Sequence, residues 1–339
     1  MSKNLKYAVF GSGSWATAII KILSSSPGTV SWYVRKKSVA EQIHKLKHNP
    51  TYLTSVEIDT ERVMISSNIN TTAQEADVLI FAFPSAFMYS QINQISYDIS
   101  SKVIVSAVKG IIPETGLLPC EYFHIHRGVP YNKMAVIGGP CHAEEIALER
   151  STFLTIASKD KLLAEKISVK FSNSYIRTKT DVDITGAEYA AMLKNIYAIA
   201  AGISHGLGYG DNFQSVLISN AAREIKGFLE RTDSRQREIS STLYLGDLLV
   251  TAYSVFSRNR MLGNMIGKGY TVKSAQAEMK MIAEGYFATK SAYELNNNNT
   301  PRLNTPIINA VYSVLFQGED PKEVFKNLSK ELDLSLIHI

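Results

Sequence analysis

The stretch VFGSGSWATAII occupies residues 9–20, almost at the start of the chain. Apolar residues lead into Gly11, Ser12 and Gly13, and a helix-like run follows. Two readings compete: a glycine turn that cradles a phosphate on a helix N-terminus, or a plain connection between a strand and a helix. In the first, Gly11 allows the tight turn and Gly13 removes the side chain that would block phosphate approach. Ala16 stands where a third glycine is usual, and its small methyl still permits close helix packing.

The surrounding pattern favours the phosphate reading. The runs YAVFG (7–11), VSWYV (30–34), VLIFAFP (78–84), VIVSAVKG (103–110) and MAVIGG (134–139) read as buried strands. Helical patterns lie between some of them, at 15–24 and 38–47. This alternation predicts a parallel sheet covered on both faces. About 20 residues past the glycines, the second strand ends on Arg35, Lys36 and Lys37. An acidic residue there would accept from the 2′-hydroxyl of NAD, whereas a cation suits the 2′-phosphate of NADP. Arg35 therefore points to NADP(H), or to use of NAD(H) as well; a solvated basic loop is the alternative.

From about Thr185 the texture changes to helix throughout, with segments at 214–230, 243–256, 271–293, 306–315 and 320–330. The expected organisation is an α/β domain over 1–185 and an all-helical domain over 186–339. A chain of 339 residues fits two cores better than one. Its 45% hydrophobic and 20% charged content describes a globular protein. The net charge of +5 is scattered, which argues against a nucleic-acid surface. No run reaches the ~18 apolar residues of a membrane span. A strand begins at once after MSKN, leaving no room for a signal peptide, so the expected compartment is the cytoplasm. Cys120 and Cys141 match no metal spacing.

Several residues could carry chemistry. Lys109 follows a strand, on the side of an open α/β sheet where ligands bind; a surface lysine is the alternative. Lys194 is an isolated cation in the apolar run AMLKNIYAIAAG, either a buried acid–base group or a lysine that snorkels to water. Asp247 lies among apolar residues as a candidate partner for it. Ser257, Arg258 and Asn259 offer hydroxyl, guanidinium and amide in succession, a donor set suited to a phosphate dianion, or an ordinary polar loop. Cys141 and His142 are adjacent but lack a third group, which disfavours a nucleophilic pair.

Taken together, GSGSWATA, VKG, GGPCHAEE, LKNIYAIAAG, GDLLVT, SRNRMLG and AEG, in this order, resemble the bacterial-type NAD(P)-dependent glycerol-3-phosphate dehydrogenases. The resemblance implies a Rossmann doubly wound sheet followed by an all-helical domain. It implies an NADP(H) or NAD(H) cofactor, no metal, and interconversion of dihydroxyacetone phosphate and sn-glycerol 3-phosphate for phospholipid synthesis. Gly11, Gly13, Ser14, Trp15, Arg35, Lys109, Ala143, Arg258, Ile282 and Glu284 fall at cofactor positions. Lys109, Gly139, Cys141, Lys194, Asp247, Ser257, Arg258 and Asn259 fall at substrate positions. Lys194, Lys109 and Asp247 match the catalytic set, with Lys194 as acid–base group. Dimers are frequent in the family, so a homodimer is expected. Two departures stand out: Cys141 replaces a hydroxyl residue and is a weaker donor, and His142 replaces an aromatic. A hydroxy-acid dehydrogenase of the same architecture, or a non-catalytic NADP(H) sensor, would share much of this pattern.

Overall fold

The computed structural model describes residues 5–279 and 283–332. The chain divides into two compact units, Met1–Val108 with Leu117–Ala187, and Lys109–Gly116 with Glu188–Ile339. The short segment 109–116 thus belongs with the second unit, whereas the sequence reading kept it in the first.

The first unit holds one sheet of eight strands. They are β1 (Tyr7–Phe10), β2 (Val30–Tyr33), β3 (Val63–Ser66), β4 (Val78–Phe81), β5 (Val103–Ser106), β6 (Met134–Gly138), β7 (Thr152–Ala157) and β8 (Ile176–Asp181). Their order across the sheet is β3-β2-β1-β4-β5-β6-β7-β8. Pairing is parallel except between β6 and β7. β1 and β4 are buried along their whole length, as strands covered on both faces must be. The order reverses between β1 and β4, and such a switch point opens a crevice at the carboxyl ends of the strands. The glycine turn leaves β1 at that end and enters α1 (Ser14–Ser24), whose apolar residues are buried in the core with Trp32, Ile80 and Val105.

The sequence reading missed β3, β7 and β8. β3 lies at one edge of the sheet, and Met64 on it is exposed. β8 forms the other edge and reads IRTKTD, with Ile176 its only buried residue. Edge strands are short of apolar residues because water covers part of them.

The second unit is helical in its described residues. After α2–α7 of the first unit (Lys37–Leu46, Ile69–Glu75, Ser85–Ile92, Pro119–Arg127, Ala143–Ala147 and Lys161–Phe171), the long α8 spans Ile184–Gly206. Then come α9 (Asp211–Thr232), α10 (Asp247–Tyr253), α11 (Arg258–Gly267), α12 (Val272–Glu278), α13 (Glu284–Asn297), α14 (Pro306–Tyr312) and α15 (Pro321–Glu331). The single helix predicted over 271–293 is instead two, α12 and α13. A π-helical turn over Thr242–Gly246 leads directly into α10.

α8 and α11 approach so closely that side chains are excluded between them. A Cβ on Gly206 would sit 2.5 Å from the Asn264 carbonyl oxygen, and one on Gly202 would overlap the Arg260 carbonyl. Gly263 and Gly267 on α11 meet the Ile199 and Ile203 carbonyls of α8 in the same way.

Glu224 on α9 is buried, yet it is a carboxyl. It accepts from the Ile307 amide at 2.7 Å, at the first turn of α14, and lies beside the Tyr197 hydroxyl. Burial pushes its pKa up to about 8 from 4.5, against the lowering effect of those donors. The folded protein therefore holds a proton that the unfolded chain has already released above 4.5. Stability is expected to fall as pH rises toward and through about 8, because the unfolded state binds fewer protons. Glu224→Gln keeps the acceptor and removes the titration. Thermal melts should show a pH slope in the parent that is lost in the variant, which should melt a few degrees higher at about pH 9. Equal slopes in the two proteins would contradict the assignment.

Candidate active site

In the first unit, Gly11 has φ +128°, a backbone region that favours glycine. A Cβ there would stand 2.7 Å from the Ala82 carbonyl oxygen, where the chain leaves β4. Gly13 has no heavy atom within 4 Å of where its Cβ would be, so open space lies over the turn. It is the N-cap of α1 and makes no side-chain capping bond. Amides at the start of a helix carry partial positive charge and suit a phosphate. These features fit the pyrophosphate of a dinucleotide. Ser14 is buried and Trp15 half-buried in the first turn of α1, while Arg35 is exposed just beyond β2.

Gly139 and Cys141 follow β6. Gly139 has φ +95°, and a Cβ on it would lie 3.0 Å from the Phe153 carbonyl oxygen, so glycine is required there. Cys141 and Ala143 are buried, and His142 caps α6. Both cysteines are free thiols.

In the second unit, the Lys194 ammonium on α8 is buried and paired with Asp247 Oδ1 at the start of α10. The π-helical turn before α10 delivers Asp247 to this position, and Thr251 Oγ1 donates to the Asp247 carbonyl at 2.7 Å. Asn195 lies next in sequence. Its Nδ2 donates to the Lys109 carbonyl at 3.2 Å, and its Oδ1 accepts from Asn259 Nδ2 at 2.8 Å. Asn259 Oδ1 in turn accepts from the Gly285 amide at 2.8 Å. This amide relay ties the segment bearing Lys109 to α8, to α11 and to the start of α13. Ser257 caps α11 by accepting from the Arg260 amide at 3.3 Å, and Arg258 opens that helix half-buried.

Within this unit Lys194 pairs with Asp247, and Asn195 joins the Lys109 carbonyl to Asn259 and through it to the Gly285 amide, with Ser257 and Arg258 at the start of α11 and Glu284 at the start of α13. Gly11, Gly13, Ser14, Trp15, Arg35, Gly139, Cys141 and Ala143 belong to the first unit. Ile282 lies outside the described residues. Asn195, which links three of these elements, was missed. An amide beside an isolated lysine in an apolar helix was the available signal. Among the described residues, no His, Cys, Asp or Glu cluster could hold a metal, and no helix is long and apolar enough to cross a membrane.

The family model for the NAD-dependent glycerol-3-phosphate dehydrogenase N-terminus matches residues 6–164, and that for the C-terminus matches residues 183–326. The glycerol-3-phosphate dehydrogenase (NAD(P)+) of Bacillus subtilis is 35% identical over 95% of this chain and 93% of its own. That of Chlorobium limicola is 34% identical over 95% of this chain and 96% of its own. The crystal structure of the glycerol-3-phosphate dehydrogenase of Coxiella burnetii superposes with a TM-score of 0.88 at 25% identity, covering 97% of this chain and 99% of that one.

Proposed function

Because the chain belongs to the NAD-dependent glycerol-3-phosphate dehydrogenase family, we propose that it interconverts dihydroxyacetone phosphate and sn-glycerol 3-phosphate with NADPH or NADH. The observation that carries the reading is the buried Lys194–Asp247 pair beside the amide relay that reaches Lys109 and Arg258's neighbour Asn259. An ammonium buried and paired in this way does not snorkel to water, and it is placed as a proton donor would be.

Gly11, Gly13, Ser14, Trp15, Arg35, Lys109, Ala143, Arg258, Ile282 and Glu284 would hold the dinucleotide. A bound nicotinamide supplies the hydride chemistry. Lys194 donates a proton to the carbonyl oxygen of dihydroxyacetone phosphate as that oxygen gains charge, and takes it back in the reverse direction. Asp247 holds the ammonium in place. Lys109 adds positive potential at the same oxygen. Arg258 and Asn259, with Ser257, grip the phosphate, so that binding to a non-reacting group fixes the carbonyl. Gly139 and Cys141 contact the substrate through their backbone, a role that the loss of a hydroxyl at 141 leaves intact. This reading includes a cytoplasmic homodimer that supplies glycerol 3-phosphate for phospholipid synthesis.

The decisive test is loss of absorbance at the NADPH band with dihydroxyacetone phosphate, repeated with NADH. Turnover of a keto acid in place of the ketone phosphate would overturn the substrate assignment. Tight NADPH binding without turnover of any ketone would favour a sensor. For the cofactor, Arg35→Ala is expected to raise the KM for NADPH about tenfold, the scale of one charge-assisted phosphate contact, and to leave that for NADH within about twofold. Equal changes in both constants would remove Arg35 from the 2′-phosphate.

A further inference from the structure

Three successive carbonyls of the glycine turn are each held by a side chain from inside the first unit. Trp32 Nε1, fully buried on β2, donates to the Gly11 carbonyl at 2.6 Å. Asn49 Nδ2 donates to the Ser12 carbonyl at 3.0 Å. Thr17 Oγ1 donates to the Gly13 carbonyl at 3.0 Å. Asn49 and Thr17 are also joined, because the same Nδ2 donates to Thr17 Oγ1 at 2.9 Å.

Asn49 is the hub. It is fully buried in the connection between α2 and β3, far in sequence from the turn it touches. Its Oδ1 accepts from the Thr51 amide at 3.0 Å and the Tyr52 amide at 3.1 Å. Both amide protons and both lone pairs of the side chain are therefore engaged, which fixes its orientation. Without these donors the Gly11 and Ser12 carbonyls would be free to rotate toward a bound phosphate and repel it, whereas the Gly13 carbonyl is also held by the Thr17 amide at 3.0 Å, the first backbone bond of α1. Holding all three inward keeps that negative edge away from the ligand before the ligand arrives. Binding then incurs no cost for reorienting the loop.

We infer that Asn49 is a positioning residue for dinucleotide binding: it acts through Ser12 and Thr17 to lock the glycine turn in its phosphate-accepting form. The inference rests on the proposed use of that turn by NADP(H) or NAD(H). Asn49→Ala removes the hub. Asn49→Asp keeps the acceptor for Thr51 and Tyr52 but turns both donors into a negative charge facing the Ser12 carbonyl.

The experiment measures the dissociation constants of NADPH and NADH by titration calorimetry, with steady-state kinetics and thermal melts on the same samples. The unsubstituted protein is measured first. Asn49→Ala should raise the dinucleotide Kd about tenfold, the scale of one net hydrogen bond, with kcat at saturating cofactor and the KM for dihydroxyacetone phosphate within about twofold. Asn49→Asp should be weaker still. Thr17→Val should raise the Kd in the same direction, and Thr17→Ser, which restores the hydroxyl, should recover it. A merely structural role would lower the melting temperature and leave the Kd of the folded protein unchanged, and that result overturns the inference. If neither Asn49 variant folds, the Thr17→Val and Thr17→Ser pair decides, and equal Kd values for the two overturn it. Failure of the unsubstituted protein to bind either dinucleotide overturns the reading of the turn itself, and this inference with it.

Discussion

Lys194→Ala is expected to lower kcat by about three to four orders of magnitude, the upper range of what a positioned proton donor contributes. The dinucleotide Kd should stay within about twofold, since the glycine turn lies in the other unit and no atom of it is altered. The two readouts separate chemistry from binding. A second consequence follows from burial. Removing the ammonium leaves the Asp247 carboxylate buried without its partner, which costs about 3–5 kcal/mol in comparable pairs. The variant should therefore melt lower, and Lys194→Ala with Asp247→Ala should regain part of that loss without regaining activity. Added alkylammonium ions that fit the vacated space should restore a fraction of turnover. If kcat in the single variant stays within tenfold of the parent, Lys194 is not the proton donor.

Gly202→Ala should be among the most damaging single methyls at the described residues, level with Gly263→Ala, whose added carbon would overlap the Ile199 carbonyl just as closely. At Gly202 nothing soft stands in the way: the added carbon would meet the Arg260 carbonyl and the Asn264 amide nitrogen, the latter at 2.8 Å, and both are backbone. α8 and α11 would have to separate. Overpacking of this kind costs about 1–3 kcal/mol or more when backbone must shift. The separation also has a chemical price, because Asn195 and Asn259 ride on those two helices and meet at 2.8 Å. The expected result is a melting temperature lowered by several degrees, with kcat/KM for dihydroxyacetone phosphate reduced more than tenfold and the dinucleotide Kd raised by less, because Arg258 opens α11 while the glycine turn is untouched. A wild-type melting temperature would show that the helices do not pack as described. Gly227→Ala on α9 is the control, since its Cβ would meet only the end of the Leu303 side chain, at 3.8 Å.

The catalytic candidates were legible in the sequence for a physical reason. A lysine in a helix of Ala, Ile and Leu, and an aspartate in LGDLLVT, are costly to bury, so each had to be read as paired or as functional. The sequence offers Asp247 only as a candidate partner; the fold brings it against Lys194. The glycine turn was equally legible, because a local strand–glycine–helix order is written in consecutive residues. Asn49 was not. In HNPTY it looks like a turn residue, and only the fold shows that its side chain reaches back to residues 12 and 17. Glu224 was likewise hidden, for REIKGF gives no hint that the carboxyl faces the first turn of α14.

From the sequence alone came the parallel α/β half, the helical half, the phosphate-suited turn and the ionisable residues that burial would make reactive. These follow from period, composition and local steric rules, which act over a few neighbouring residues. The edge strands, the division of α12 from α13, the glycine-to-backbone contact of α8 with α11 and the hydrogen-bond partners of Asn49 and Asn195 were decided by tertiary structure. Each depends on which distant segment supplies the facing atom, and that is set by the packing of the whole unit rather than by any local stretch of chain.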